Sequence, residues 1–536
     1  MTSNAGRQTV REATFDVMRR LGMTRIFGNP GSTEIPFLTD LPGDLEYVLG
    51  LHEGAVVGMA SGYALGTGRP AFVNLHTAAG LGNAVNAIAG ARDNRVPLVI
   101  VVGQQDRRQL AYAPFLTGQG LERMAGESPV WTSHPAEPSA VPGAIARAWH
   151  EAGLRRGPAV VVVPMGDWEV VLDAGWAGLA APDRVACAPL AGTAAIGELT
   201  AALRAAESPV LIVGAGTDTV AGWKAATRLA ERLGCPVWQD TFSSRAGFPQ
   251  DHPQFAGHLP WRRREIRATL AGHDAVVALG TPAFRLYLYE PGAFVEPGTR
   301  VLVVTDDADE ALRSRCDLAV VAPPAQVCDA LADALPARTA AAEPMRRPKP
   351  PTPPTAGGPL RPEHVLAALA ERLPAGALLV EEAPSHRPEL LARVAVRAPF
   401  GFLAVANGAL GFGLTAAIGA RMALPDRPVL ALLGDGSAMY TIQALWTAAR
   451  YRVGVVVLVM ANGRYAVMDE LADRHGGRGA WPAFEELDLT TIAQGMGCPA
   501  VRVTEYGQLL QLLDEVVPDM AARAEPLLLD VRVTVG

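Results

Sequence analysis

Apolar and polar positions alternate in blocks along the 536-residue chain. Compact apolar runs, of which Ala71–Leu75 and Val429–Leu433 are examples, have the length of strands buried on both faces. Between such runs, apolar residues recur at the spacing of an amphipathic helix, as in residues 8–22, where Gly22 predicts the end. This order predicts an α/β protein with doubly wound, mainly parallel sheets. Further strands are predicted at Arg25–Phe27, Tyr47–Leu51, Leu98–Val102, Val160–Val163, Pro209–Val213, Ala275–Leu279, Arg300–Val304 and Val455–Met460, and a further helix at Glu34–Leu41.

The chain is too long for a single core, and the pattern divides it into three Rossmann-like domains. Their predicted bounds are residues 1–182, 188–336 and 363–536. Residues 337–362 are rich in proline and predict a stiff, extended linker. In the second domain, Thr219 stands where a dinucleotide fingerprint has its third glycine, so a bound nucleotide is not expected there.

Composition excludes several classes of function. The net charge is −7 and no basic cluster is present, which argues against nucleic acid as a partner. No apolar run is long enough to span a membrane, and residues 1–11 lack the apolar core of a signal peptide. The five cysteines have neither disulfide-like nor metal-like spacing, which predicts a reducing, cytoplasmic location.

Candidate metal ligands follow two of the predicted strands in the third domain. Asp435 lies in a Gly-Asp-Gly-Ser sequence directly after Val429–Leu433, and Asn462 follows the next strand along the chain. Because parallel sheets bind ligands at the carboxyl ends of their strands, both side chains should face one crevice. Carboxylate and amide oxygens suit Mg²⁺, and the glycines would let backbone N–H groups approach a diphosphate. The alternative is a plain tight turn after a core strand.

Polar residues also follow three strands of the first domain. They lie in Gly28-Asn29-Pro30-Gly31-Ser32, in His52-Glu53-Gly54 and in His76-Thr77-Ala78-Ala79-Gly80. Together with the Gly-Asp-Gly and Asn-Gly motifs, these segments resemble the thiamine-diphosphate (ThDP) dependent 2-oxo-acid decarboxylases, and most of all the benzoylformate decarboxylases. The resemblance runs from about residue 9 to the end of the chain. It implies a pyrimidine-binding first domain, a middle domain and a diphosphate-binding third domain.

The resemblance also assigns residues to the cofactor. It implies that Asp435, the Asn462 side chain and the backbone carbonyl of Arg464 bind Mg²⁺. Leu410 would bend the cofactor, unless it is an ordinary core residue, and the Gly408 carbonyl would accept a hydrogen bond from the aminopyrimidine. The remaining residues that it places against ThDP are Glu53, Gly436, Ser437 and Tyr465.

Catalytic roles follow from the same resemblance. Glu53 would hydrogen-bond the aminopyrimidine and promote loss of the thiazolium proton; the alternative is a surface residue at a helix start. Ser32 would bind the substrate carboxylate, or would only cap a helix. His76 would donate a hydrogen bond to the substrate carbonyl or transfer a proton, or would be structural.

The chain departs from the benzoylformate decarboxylases at two places. Tyr287 stands where these enzymes have a second active-site histidine, and a phenol is a poorer proton donor at neutral pH than an imidazole. Either Tyr287 or His386 is a candidate replacement, although His386 is first expected to be a loop residue. Aromatic residues are also missing from Ala466–Leu471 and from Ala404, so a substrate larger, more polar or otherwise different from a plain benzoyl compound is expected.

Three functions are open on this basis. The first is decarboxylation of a 2-oxo acid to an aldehyde through an enamine intermediate, with ThDP and Mg²⁺ as cofactors. The second is a carboligase of acetolactate-synthase type, which would pass the enamine to a second carbonyl compound. The third is a non-catalytic relative. The resemblance further implies a homodimer or homotetramer with the active site at the subunit interface.

Overall fold

The computed structural model describes residues 8–173, 182, 184–185, 191–339 and 343–535. In these ranges, strands form three sheets of six strands each, and every strand pair with a defined register is parallel. The predicted α/β class is confirmed. The strands are β1 Arg25–Asn29, β2 Glu46–Leu49, β3 Ala71–Leu75, β4 Leu98–Gln104, β5 Trp131–Ser133, β6 Pro158–Pro164, β7 Pro209–Val213, β8 Val237–Asp240, β9 Phe255–Leu259, β10 Ala275–Leu279, β11 Arg300–Thr305, β12 Leu318–Val321, β13 Leu378–Glu382, β14 Phe402–Leu403, β15 Val429–Gly434, β16 Val456–Ala461, β17 Ala500–Val503 and β18 Leu527–Arg532.

The helices between these strands vary from single turns to about five turns. Short 3₁₀ turns also occur, among them Ser32–Glu34 and Pro384–His386. The α-helices are α1 Val10–Leu21, α2 Ile35–Leu38, α3 Glu53–Thr67, α4 Thr77–Asp93, α5 Leu121–Met124, α6 Val141–Arg155, α7 Thr193–Ala205, α8 Val220–Leu233, α9 Arg263–Thr269, α10 Ala308–Arg313, α11 Pro324–Ala334, α12 Pro362–Arg372, α13 Arg387–Arg393, α14 Gly413–Ala423, α15 Asp435–Ala438, α16 Ala444–Arg450, α17 Ala466–Arg474, α18 Leu489–Gly495 and α19 Tyr506–Val516.

Two compact units contain these elements. The first consists of residues 1–187, 405–503 and 518–532, and the second of residues 188–404, 504–517 and 533–536. The first unit holds a sheet with the strand order β2-β1-β3-β4-β6-β5 and the strands β15-β16-β18-β17. In the first of these sheets the chain reverses its winding between β1 and β3, which makes their carboxyl ends the expected ligand edge.

Local signals explain how the first elements begin and end. Thr9 caps α1 in a capping box with Glu12, and Gly22 ends it with φ +75°. Apolar residues of α1 then pack with Phe37, Phe72 and Trp168 in one core. The helix predicted at Glu34–Leu41 is wrong in its extent, because the structure has a 3₁₀ turn followed by the single turn α2, which ends at Leu38.

The second unit contains a sheet with the strand order β12-β11-β10-β7-β8-β9 and the strands β13 and β14. A Cβ atom on Gly216 would lie 2.6 Å from the Cα atom of Gly280, so the loops after β7 and β10 touch through their glycine backbones. The described part of the predicted linker packs within this unit, where the Met345 N–H donates to the Phe255 carbonyl at 2.7 Å and Arg347 donates to the Gln250 carbonyl at 3.1 Å.

Some predictions concern residues outside the described ranges. They include Cys187, residues 1–7 at the N-terminus, residues 340–342 of the linker and most of the boundary between residues 182 and 188. The bounds of the three predicted domains stay a prediction. In the described part of the chain, Cys235, Cys316, Cys328 and Cys498 are free thiols. No helix in the described ranges combines the length and the apolar character that crossing a membrane requires.

Candidate active site

Glu53 is the first residue of α3, and its carboxylate is enclosed rather than exposed. Its side chain is buried, with 7% of the residue surface exposed. The Asn29 amide at the end of β1 donates to Oε1 at 3.1 Å, and the Asn83 amide on α4 donates to Oε2 at 3.0 Å. The alternative of a surface residue that only starts a helix is therefore wrong. Two amides fix both carboxylate oxygens in one orientation.

His76 follows β3, and its imidazole contacts two residues from the turn after β1. Nδ1 lies 2.9 Å from Thr33 Oγ1 and 3.0 Å from Glu34 Oε2. The next residue, Thr77, has φ +35°, an unfavourable backbone conformation for a β-branched residue and a feature that clusters at functional sites.

Gly80 shows how close Glu53 and His76 are. A Cβ atom built on Gly80 would lie 3.5 Å from Glu53 Oε1 and 3.5 Å from His76 Cβ. The two side chains therefore border the same glycine on the first turn of α4. A buried carboxylate and an imidazole, which follow β2 and β3, are groups that can transfer protons.

Ser32 lies at the same edge, in the turn after β1. It is exposed and is the first residue of the 3₁₀ turn, whereas Gly31 holds the N-cap position without a side-chain cap. The alternative that Ser32 only caps a helix is therefore wrong. Its hydroxyl is accessible to a ligand, and the role in binding a substrate carboxylate stays a prediction.

Asp435 begins α15 directly after β15 and is almost fully buried. Its Oδ1 accepts the Gly436 N–H at 2.9 Å, and its Oδ2 accepts the Gly463 N–H at 2.6 Å. Burial raises the pKa of the Asp435 carboxyl, and these backbone hydrogen bonds oppose the rise. On the far side of the turn, Asn462 Oδ1 accepts the Arg464 N–H at 3.1 Å.

The donor set at this turn fits Mg²⁺. It comprises the Asp435 carboxylate, the Asn462 amide oxygen and the Arg464 carbonyl, which are all hard oxygen ligands. Among the described residues, no group of three or more His, Cys, Asp or Glu side chains is placed to hold a metal, so a metal here would depend on neutral oxygens beside the one carboxylate.

The backbone beside Asp435 is closely packed at Gly436. A Cβ atom on Gly436 would lie 2.5 Å from the Tyr465 ring and 3.3 Å from Phe484, so only glycine lets these rings pack against the turn. Gly463 has φ +72°, and Ser437 is a buried hydroxyl on the same turn. A small, polar, backbone-lined turn at a strand end is typical of diphosphate sites.

Leu410 and Gly408 lie on a loop before α14. Gly408 has φ +74° and Gly411 has φ +99°, conformations that glycine adopts without strain. Leu410 is half-buried, so the alternative of an ordinary core residue is wrong, and its carbonyl accepts a hydrogen bond from Asn86 at 3.3 Å. This bond ties the loop to α4, the helix that also carries Asn83.

Tyr287 and His386 belong to the second compact unit, whereas all other predicted site residues belong to the first. The Tyr287 side chain is exposed and packs edge-on against Trp261 at a centroid distance of 5.8 Å. His386 closes the 3₁₀ turn after β13 and is buried. Burial lowers its pKa to about 4, so it is neutral at pH 7 and a weak base for catalysis.

Sequence reasoning missed four residues that contact the candidate groups. Asn29 and Asn83 bind Glu53, and Thr33 and Glu34 bind His76. Asn29 lies within the motif already singled out at the end of β1, and Thr33 and Glu34 directly follow that motif, which was a usable signal. No feature of the sequence linked Asn83 to Glu53, because that contact depends on how α4 packs against α3.

Comparisons with known proteins match nearly the whole chain. Three family models match it: the N-terminal TPP binding domain of thiamine pyrophosphate enzymes over residues 8–126, the central domain over 196–331 and the C-terminal TPP binding domain over 389–531. These ranges contain every candidate site residue named above except His386.

Individual relatives agree with the family models. A benzoylformate decarboxylase from Pseudomonas aeruginosa is 39% identical over 94% of this chain and 95% of its own length. The acetolactate synthase isozyme 3 large subunit of Escherichia coli is more distant, at 25% identity over 92% of this chain and 90% of its own. Among solved structures, the ThDP-dependent 4-hydroxybenzoylformate decarboxylase of Rhodococcus jostii RHA1 has a TM-score of 0.92 and 35% identity, with 98% of this chain and 99% of that chain covered.

Proposed function

Since the chain belongs to the thiamine pyrophosphate enzyme family and is a ThDP-dependent decarboxylase, we propose that it converts a 2-oxo acid to an aldehyde and CO₂, without oxidation and with Mg²⁺ bound. The observation that carries this proposal is the placement of Glu53 and His76 beside the same glycine, Gly80. Each side chain has its own set of hydrogen-bonding partners, which orients it for proton transfer.

We assign a different role in the proposed reaction to each of the candidate catalytic residues. Glu53, held by Asn29 and Asn83, would hydrogen-bond the aminopyrimidine ring of the cofactor and promote loss of the thiazolium proton. His76 would supply a proton at the reacting carbon, and Ser32 would orient the substrate carboxylate. The cofactor, when bound, supplies a nucleophilic carbon and a sink for the electrons that CO₂ leaves behind.

The diphosphate end of the cofactor would bind at Asp435. We assign Asp435, Asn462 and the Arg464 carbonyl to Mg²⁺, and Gly436, Ser437 and Tyr465 to the diphosphate side. Gly408 and Leu410 are assigned to the rings of the cofactor. The hard oxygen donors, and the glycine that lets the Tyr465 ring pack against the turn, support these assignments.

The substrate is expected to differ from a plain benzoyl compound. Two of the relatives named above are, by their names, decarboxylases of benzoylformate or 4-hydroxybenzoylformate. In this chain, residues 466–471 carry no aromatic side chain, and Met468 and Asp469 lie among them. We therefore propose a 2-oxo acid with a larger or more polar side chain than phenyl.

Carboligation is the second candidate. Tyr287 supports it. An exposed phenol in the place of a second histidine would slow protonation of the carbon that has lost CO₂, and that carbon would then have time to attack another carbonyl compound. A homodimer or homotetramer with the site at the subunit interface is also proposed. The exposed apolar surfaces of Tyr440 and Trp481 near the Asp435 turn support it, since a second subunit would cover them.

The test is a product analysis. Purified protein with ThDP and Mg²⁺ is incubated with aromatic, aliphatic and branched 2-oxo acids, and products are followed by NMR. Aldehyde release supports the proposal. A hydroxyketone as the main product would contradict it and support carboligation instead. No consumption of any acid, with ThDP bound, would favour the non-catalytic alternative. The Glu53→Gln variant is the control, and turnover that survives this change would exclude the role given to Glu53.

A further inference from the structure

The side chains of Thr33 and Glu34 meet the imidazole of His76 on one nitrogen only. We propose that these two residues hold His76 in the tautomer that is protonated on Nδ1, so that Nε2 is the nitrogen that exchanges protons with the reacting molecule. This inference rests on the proposed function of His76. It makes Thr33 and Glu34 positioning residues, which act through His76.

The donors and acceptors around Glu34 decide the direction of each hydrogen bond. Thr33 Oγ1 lies 2.6 Å from Glu34 Oε1 and donates its only proton to that oxygen. The Gly31 N–H donates to Glu34 Oε2 at 2.8 Å. Both carboxylate oxygens therefore accept a hydrogen bond already, which suits an ionised carboxylate rather than a carboxylic acid.

His76 Nδ1 consequently faces two acceptors. Thr33 Oγ1, having given its proton to Glu34, presents a lone pair at 2.9 Å, and Glu34 Oε2 presents another at 3.0 Å. A nitrogen without a proton would meet only lone pairs at this position, and a buried clash of acceptors is costly. Nδ1 must therefore carry the proton, and in the neutral ring Nε2 then has the lone pair.

Packing supports this arrangement. Burial raises the pKa of the Glu34 carboxyl above its ordinary value, and the hydrogen bonds from Thr33 and Gly31 and the imidazole of His76 offset part of that rise. Gly103 on β4 packs directly against the side chains of Thr33 and Glu34, since a Cβ atom there would lie 1.9 Å from Glu34 Oε1 and 2.4 Å from Thr33 Oγ1. A Cβ atom on Gly31 would lie 2.4 Å from the ring of His76. The side chains of Thr33 and Glu34 therefore have no room to turn away from His76.

The tautomer can be read without substrate. The protein is labelled with ¹⁵N-histidine, and the His76 signals among the ten histidines are assigned by their loss in His76→Gln. At neutral pH, we expect the ring nitrogens of His76 to show the Nδ1–H form. Thr33→Val has the same shape without the hydroxyl, so Glu34 loses a hydrogen-bond donor. In this variant we expect a mixture of the Nδ1–H and Nε2–H tautomers of His76. In Thr33→Ser, which keeps the hydroxyl, the Nδ1–H form should persist.

Two outcomes would overturn the inference: an Nε2–H form in the unsubstituted protein, or identical tautomers in Thr33→Val and Thr33→Ser. A kinetic measurement adds a second readout. Relative to Thr33→Ser, Thr33→Val should lower kcat about tenfold with KM changed less than about twofold, because one hydrogen bond to the charged Glu34 carboxylate is lost. If no 2-oxo acid is consumed while the tautomers behave as expected, the proposed function fails and the positioning of His76 stands.

Discussion

The backbone N–H of Gly463 donates to Oδ2 of Asp435 at 2.6 Å and thereby joins the turn after β16 to the carboxylate after β15. The two strands are neighbours in register, with Gly434 opposite Met460. Because both strands end at the same level, the oxygens of Asp435 and Asn462 lie on one edge of the sheet. The metal ligands assigned here thus depend on strand register as much as on their own chemistry.

Asp435→Asn should weaken ThDP binding. The amide keeps the shape of the side chain but removes the only negative charge among the assigned Mg²⁺ ligands, so we expect the affinity for ThDP at saturating Mg²⁺ to fall at least about tenfold. Isothermal titration of the protein freed of ThDP and metal measures this. The matched control is Asp473→Asn, which removes an exposed carboxylate from α17. Equal affinities for ThDP in the two variants would contradict the assignment of Asp435 to the metal site.

Gly436→Ala should distort the diphosphate turn. Its Cβ atom would lie 2.5 Å from Cε1 of Tyr465, well inside van der Waals contact, so the ring must move out of its place. We expect a loss of ThDP affinity and a change in the environment of Tyr465. Gly434→Ala is the matched control, because its Cβ atom would meet nothing closer than Ser437 Oγ at 3.6 Å. Both variants are compared by titration with ThDP, and a Gly436→Ala protein that binds like the control contradicts the assignment.

Asn83→Ala should slow turnover without loss of the cofactor. Asn83 donates to Oε2 of Glu53 at 3.0 Å, and a hydrogen bond to a charged group contributes about 1.5–3 kcal/mol, which corresponds to a decrease in kcat of about tenfold to a hundredfold. The surface variant Gln511→Ala, which loses an amide on α19, should leave kcat unchanged. Steady-state kinetics beside ThDP titration separate the two effects. A kcat for Asn83→Ala equal to that of the surface variant would show that Asn29 alone suffices to orient Glu53.

The sequence predicted correctly that the candidate residues lie beside strand ends. Glu53, His76, Asp435 and Asn462 were singled out because apolar runs mark the strands and polar residues follow them, and their roles stay predictions. These strands are confirmed with small shifts at their ends, such as β4, which continues to Gln104. The alternation of strands and helices likewise sufficed for the fold class.

Contacts between distant segments could not be predicted in this way. The pairing of Glu34 with His76 joins residues 42 positions apart, and that of Asn83 with Glu53 joins residues 30 positions apart. Both depend on the order of β1 and β3 in the sheet and on the packing of α3 against α4, which periodicity does not encode. The alternative in which Ser32 caps a helix is wrong for a local reason, because Gly31 rather than Ser32 occupies the N-cap position.

Arg421→Gln should destabilise the first compact unit. Arg421 is buried on α14 and donates to the carbonyls of six residues. These are Leu424, Pro425, Arg427, Gly454, Ala521 and Arg523. A shorter amide cannot reach all of them, and the buried carbonyls that lose a donor should lower the free energy of unfolding by about 3 kcal/mol. Calorimetry measures the loss of Tm against Arg450→Gln, an exposed arginine at the end of α16. Equal Tm values in the two variants would contradict this.

His386 should make the stability of the protein depend on pH in the acid range. Its Nε2 has no hydrogen-bond partner among the described residues, and burial lowers its pKa to about 4 from an ordinary value near 6.5. Between these values the unfolded chain binds a proton that the folded protein excludes. The free energy of unfolding therefore rises with pH across this window, and the full stability above about pH 6.5 is lost as the pH falls towards 4.

The shift corresponds to an upper bound of about 3 kcal/mol for this one group. His386→Gln removes the titration, so we expect a smaller drop in Tm between neutral pH and about pH 4 than in the unsubstituted protein. The dependence will persist in part, since burial also lowers the pKa of His258, to about 3. His475→Gln, which replaces an exposed histidine, should retain the full dependence. If His386→Gln and His475→Gln gave the same Tm at every pH, His386 would be protonated in the folded protein as readily as in the unfolded chain.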